Sequence, residues 1–244
     1  GGTDADPHQG IEGAGRRDGQ LMARRQIMIV GNGDVPDGAA GLIDAADLVI
    51  RFNDCRSVGA GGSRTDIVAV CNTGRPGKGM LSSALWTMNP AVIAARAIWC
   101  VRDPQKFRDM RAPLAVSHPE LDDFCDDYTE GFAAFAAETG KDHFTIGRDV
   151  HEALDVALSA YDPAPYVVPS SGLVAIAHVL AAEEFRDGDI CLAGFGHQGW
   201  EWHPFAAERR FVDDHVARGR LSRIDTLLAT TERPLLHCTS EVTR

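Results

Sequence analysis

The sequence predicts a single α/β domain, Rossmann-like, with a mainly parallel sheet covered by helices on both faces. Two observations predict the sheet. Short, apolar, β-branched runs such as "IMIV" (27–30), "DIVAV" (66–70) and "ICLAGF" (190–195) recur along the chain, and segments of helical periodicity separate them. That alternation makes parallel strands joined by crossover helices. A third observation concerns its faces. The runs are apolar without the polar alternation of a half-exposed sheet, so both faces need cover.

The elements follow in order. A strand is expected over 27–30 and a short helix over 39–46, with Leu42 and Ile43 on its apolar face. Strands follow at 47–52 and 66–70. Residues 72–95 begin as loop ("NTGRPGKG") and end as helix, before a strand at 97–101. A short helix at 105–110, a strand at 114–116 and helices at 122–139 and 151–160 are expected next. A short strand at 166–168 precedes a helix over 173–185 that is apolar on most sides and therefore buried. The last strand is expected at 190–195 and an amphipathic helix at 204–218. No repeat or linker interrupts 25–235, which reads as one domain. Residues 1–24, Gly- and charge-rich without periodicity, read as a disordered leader, and 236–244 as a flexible tail.

Composition narrows the function. The formal net charge of −11 disfavours binding to a nucleic-acid backbone, which needs a Lys/Arg surface. No apolar run reaches the ~18 residues of a membrane span. The six cysteines are scattered without CxxC pairs, which reads as reduced thiols in a cytoplasmic protein.

Four stretches carry candidate chemistry. "VGNGD" (30–34) follows the first strand. Gly31 and Gly33 fit the first two positions of a dinucleotide fingerprint, but Pro36 occupies the third, where glycine lets the helix pack closely. "RFNDCRSVGAGGSRTDI" (51–67) delivers Arg51 and Asn53 at a strand end, then Ser63, Arg64 and Thr65, groups that suit a phosphate or a base. "VPSSGLVAIAHVL" (168–180) sets Ser170, Ser171 and Gly172 where a helix begins. Hydroxyls and free amides there suit an anion, though simple capping needs them too. "GFGHQGWEWHPFAAERRF" (194–211) crowds two Trp and two His after a strand end, with Pro204 suited to the first turn of a helix. His203, just before that turn, suits proton transfer near neutral pH. Glu208 lies beside the helix's apolar stripe. No HxxxH or HExxH spacing points to a metal.

In this order the stretches resemble the sialyltransferase family of glycosyltransferases. "IVGNGD", "LIDAADLVIRFND" and "VGAGGSRTDI" match its long motif, "VPSSG" with "ICLAGFG" its short motif, and His203-Pro-Phe-Ala-Ala-Glu208 its very short motif. The resemblance covers about 27–73 and 165–228, and the middle, 75–163, matches nothing recognisable. It implies a GT-A-like variant of the sheet and a metal-independent, inverting transfer from a CMP-activated acidic sugar, sialic acid or Kdo-like, to a hydroxyl acceptor. It implies that Asn32, Asn53, Ser171 and Gly172 contact the nucleotide, with Gly31, Gly33, Ser63, Arg64, Thr65, Ser170 and Gly196 around it. His203 is implied as general base, Glu208 as its motif partner, and His197 as a group acting on the leaving phosphate. The CMP-sugar is a co-substrate, and no cofactor or metal is expected.

No anchor-length apolar run is seen, and neither Arg24-Arg25-Gln26 before the first strand nor the short-motif helix carries the cysteine of animal members, so a bacterial relative is expected. Similar bacterial proteins are also labelled as urease operon accessory proteins, although the nine dispersed histidines and the lack of a P-loop offer nothing for nickel handling. Two alternatives therefore stand beside transfer. One is a CMP-binding protein that hydrolyses the CMP-sugar or serves as a non-catalytic accessory. The other is an NAD-binding enzyme, against which Pro36 argues.

Overall fold

A computed structural model describes residues 24–231. Arg24 apart, the leader expected over 1–24 and the tail expected over 236–244 lie outside these residues. Seven parallel strands form one sheet: β1 (Gln26–Val30), β2 (Leu48–Phe52), β3 (Ile67–Val70), β4 (Ala97–Cys100), β5 (Asp142–Thr145), β6 (Asp189–Ala193) and β7 (Ser222–Arg223), in the spatial order β5-β4-β3-β2-β1-β6-β7. The helices are α1 (Ala39–Ala45), α2 (Gly74–Leu81), α3 (Ala84–Thr87), α4 (Pro90–Ala94), α5 (Pro104–Ser117), α6 (Thr129–Glu138), α7 (Arg148–Leu158), α8 (Ser171–Ala181), α9 (Phe205–Ala217) and α10 (Ile224–Thr231).

Successive side chains of each strand serve opposite faces. Ile27, Ile29, Leu48, Ile50 and Trp99 pack under α7, α8 and α9. Met28, Val30 and Val49 meet α1 and α10, while Val68, Val70 and Ile98 meet α2, α3, α4 and α6. The strands are therefore apolar at nearly every position. Away from the strand starts and the edge strands β5 and β7, Arg51 is the polar exception, fully buried within β2.

Several local expectations are corrected. Residues 114–116 are no strand: α5 runs on through Pro113, because Phe107 and Leu114 anchor two of its turns on one buried patch. The loop expected at 72–79 is largely α2, and the helix expected from 122 starts at Thr129. Residues 166–168 form no strand: they bend as a loop that bonds to the loop after β6, Val167 N donating to Trp202 O at 2.9 Å. The helix expected over 173–185 is α8, starting at Ser171 and ending at Ala181. Strands β5 and β7 had no sequence signal. Each is a short edge strand with a single neighbour and incomplete burial.

Chain order reverses at β1, which lies between β2 and β6. In open parallel sheets ligands bind outside the carboxyl ends of the strands, near such a reversal.

Candidate functional site

A cavity of about 380 Å³ opens at the carboxyl ends of β2, β3 and β4. Asn53 follows β2, Cys71 follows β3 and Arg102 follows β4, while Ser171 opens α8 and Trp200 and His203 come from the loop after β6. Phe124, from the turn before α6, stacks on Trp200 with ring centroids 5.4 Å apart and closes one wall.

His203 is held by its ring. Its Nδ1 lies 2.8 Å from Val168 O. A carbonyl only accepts, so Nδ1 carries the proton and Nε2 keeps its lone pair. Trp200 meets the same ring edge to face at 4.9 Å. Burial first, and then the positive charge of Arg102, push the imidazole down to about 4. It is therefore a neutral acceptor at neutral pH.

Glu208 sits in the first turn of α9 and is 2% exposed. Its carboxylate accepts from Ser170 N at 2.7 Å and from Ser170 Oγ at 2.7 Å. Burial raises its pKa, and the two Ser170 bonds and Arg102 oppose that rise. Ser170 Oγ in turn caps α8 by accepting from Leu173 N at 3.2 Å. Glu208 therefore stands behind the cavity wall and fixes the helix start that faces the cavity. The amides of Ser171 and Gly172 take no partner among the described residues, which leaves them available to an anion.

Asn53 has φ of 50°. Its Oδ1 accepts from Cys71 N at 2.8 Å, and its Nδ2 makes no bond among the described residues. A side-chain amide donor is thus presented at the cavity wall.

Other expected contacts are placed elsewhere. Asn32 is engaged by the chain itself: Nδ2 donates to Phe52 O at 3.1 Å and Oδ1 accepts from Arg56 N at 2.9 Å. Gly31 and Gly33 lie against the end of β6, Gly33 N donating to Gly194 O at 2.9 Å. A Cβ on Gly33 would stand 2.8 Å from that oxygen, so glycine here serves a close backbone crossing. Ser63, Arg64 and Thr65 lie where the chain returns to start β3, outside the cavity. Asp44 accepts from the amides of Ser63 and Arg64, and the Arg64 guanidinium pairs with Asp66 at 3.0 Å. Thr65 Oγ1 accepts from Arg51, whose guanidinium also donates to Ser57, Gly61 and Arg64. The Arg51 charge thus organises the loop and is spent there. Gly172 packs on Phe195, and Gly196 O accepts from Arg209 at 3.1 Å. His197, at φ of 49°, faces Arg209, Arg223 and Asp213 rather than the cavity, with burial as the largest depression of its pKa.

The chain is 59% identical over 204 residues to the "Urease operon 23 kDa accessory protein" of Rhizobium meliloti (strain 1021), covering 84% of this chain and 94% of that protein. It belongs to the family of that urease operon accessory protein. No protein-family model matches the chain, so the likeness to sialyltransferases rests on the motifs alone.

In this urease operon accessory family member, sequence reasoning passed over Arg102 and Asn72 and gave Trp200 no role beyond its place in an aromatic-rich stretch. Asn72 is fully buried and ties the ends of β3 and β4 together, accepting from Arg102 N at 2.8 Å and donating to Arg102 O at 2.9 Å. The signal that could have found Arg102 was in "IWCVRD": a charged residue directly beyond an apolar strand, at the sheet edge where ligands sit.

Proposed function

We propose that this urease operon accessory family member binds a CMP-activated acidic sugar in the cavity and transfers the sugar to a hydroxyl acceptor, with His203 as general base. One observation carries the reading. The His203 imidazole is locked by Nδ1 to a carbonyl, which leaves Nε2 as a proton acceptor on a residue lining the same cavity as Ser171 at the start of α8. In the proposed step the acceptor oxygen bonds to the anomeric carbon as its proton passes to Nε2. The bond from that carbon to the phosphate oxygen breaks and CMP leaves, its charge met by Ser171 and the start of α8. Displacement from the opposite side inverts the carbon. Glu208 acts as a positioning residue through Ser170, and the reading invokes no metal.

A second reading is binding without transfer, or hydrolysis with water in place of the acceptor. The name of the R. meliloti relative favours it, as do the internal engagements of Asn32 and Glu208.

The test is calorimetric titration with CMP beside UMP and NAD, followed by incubation of CMP-sialic acid and CMP-Kdo with and without hydroxyl acceptors. Selective CMP binding with acceptor-dependent release of CMP supports transfer. CMP binding with acceptor-independent release, or none, selects the second reading. Folded protein that ignores CMP removes both.

A further inference from the structure

Arg102 is a buried cation with no assigned partner. It is 2% exposed and lines the cavity floor. Nη1 donates to Pro169 O at 2.9 Å, Nη2 reaches Ser171 Oγ at 3.4 Å, and the Phe107 ring lies 5.4 Å from Cζ. Its Nε has no hydrogen-bond partner and exposes less than 1 Å² to solvent, so a ligand oxygen meets it only once the side chain or its cover shifts slightly. Among the described residues no carboxylate pairs with it, since Glu208, which lies within its field, is held by Ser170.

A guanidinium enclosed without an anion is costly, and a donor with no acceptor adds to that cost. Nε and Nη2 share one edge of the guanidinium fork, and that edge matches two oxygens of a single oxyanion. Ser171 stands at the Nη2 end of the edge, where α8 begins with its free amides. The neutral neighbours His203 and His151 supply no negative charge.

We propose that Arg102 anchors an oxyanion subsite, holding a phosphoryl or carboxylate group of the ligand across Nε and Nη2, with Ser171 and the first amides of α8 completing the cradle. The inference deepens the nucleotide-sugar reading and rests on it only for the identity of the rest of the ligand. A nucleoside phosphate and a sugar acid share the required chemistry, and the test separates them.

Inorganic phosphate, CMP, cytidine and free N-acetylneuraminic acid are titrated by calorimetry into the full chain and its Arg102→Gln and Arg102→Lys variants. The wild type should bind CMP at least tenfold more tightly than cytidine if the oxyanion is the phosphate. It should bind the free sugar acid instead if the oxyanion is the carboxylate. Arg102→Gln should abolish that anion-dependent gain and leave cytidine binding unchanged. Arg102→Lys should restore only part of the gain, because lysine keeps the charge but loses the fork. A full gain in Arg102→Gln overturns the subsite, as does wild type that binds no anion. Should the variants not fold, the arginine Nε–H nitrogen spectrum of the wild type decides. A buried Nε–H resonance that moves on adding phosphate or sugar acid supports the subsite, and none moving overturns it. Phosphate binding without CMP binding keeps the subsite and sinks the nucleotide reading; equal binding of CMP and cytidine, with neither anion bound, does the reverse.

Discussion

Glu208 accepts two hydrogen bonds from Ser170, one from the amide and one from the hydroxyl, both at 2.7 Å. His203, five positions earlier, holds Val168 O through its ring. Both ends of the H-x-x-x-x-E motif thus grip one short segment, 168–170, which launches α8 into the cavity wall. The spacing is explained by what it clamps: His203 ahead of α9 and Glu208 in its first turn both bond to the loop before α8.

Glu208→Ala leaves Ser170 N without its acceptor in a buried site. The expected loss of stability is about 1–3 kcal/mol, the usual cost of stranding a buried polar group. Urea denaturation would measure it. Glu208→Gln retains one carbonyl acceptor and should recover part of the loss. Wild-type stability in Glu208→Ala would remove the clamp from the account.

His203→Ala should cut turnover by roughly 10²–10⁴-fold, the usual range for a lost general base, if the transfer reading holds. CMP affinity should change little, because the phosphate contacts lie at α8. Calorimetry and CMP release measure the two separately, and parallel loss of both would make His203 a binding residue only. With the free imidazole pushed down to about 4, kcat/KM in the wild type should stay level across neutral pH and fall only on the acid side.

Acid should destabilise the fold through its neutral histidines. His151 and His203 are each depressed to about 4, burial being the larger cause in both. In the unfolded chain they take up protons as pH falls through their ordinary value, while the folded protein refuses them until about 4. Their stabilisation is therefore complete above the ordinary histidine pKa and is lost between there and about 4. Each adds at most about 1.4 kcal/mol per pH unit in that window. Denaturation midpoints at several pH values measure the slope, and His151→Phe should flatten it.

Gly194 crosses β1 with φ of 69°, and a Cβ there would stand 2.7 Å from Gly31 O. Gly194→Ala should cost about 2–4 kcal/mol, combining left-handed strain with overpacking. Gly79, in α2, has open space around its Cβ position. Gly79→Ala should stabilise by about 0.5–1 kcal/mol. Thermal or urea unfolding of the pair checks the contrast.

The sequence by itself determined the sheet's core. Five of the seven strands were legible because each is a buried, nearly continuous apolar run, and the alternation with helices made them parallel. It also marked His203, Ser171 and Asn53 as candidate groups, since each follows a strand or opens a helix. Only the tertiary structure decided which motif residues share the cavity. Arg51, Asp44 and Thr65 stand in the same motif as Asn53, yet Arg51 bonds to Thr65 and Asp44 accepts from the amides of Ser63 and Arg64, so all three are consumed in building the loop. Asn53 alone keeps a donor toward the cavity. Arg102 lay in the stretch without recognisable motifs and became visible only when β4 came to lie beside β3. Hydrophobic periodicity is a local signal, read within a few residues. Whether a polar group is consumed or free depends on partners distant along the chain, and folding alone brings those together.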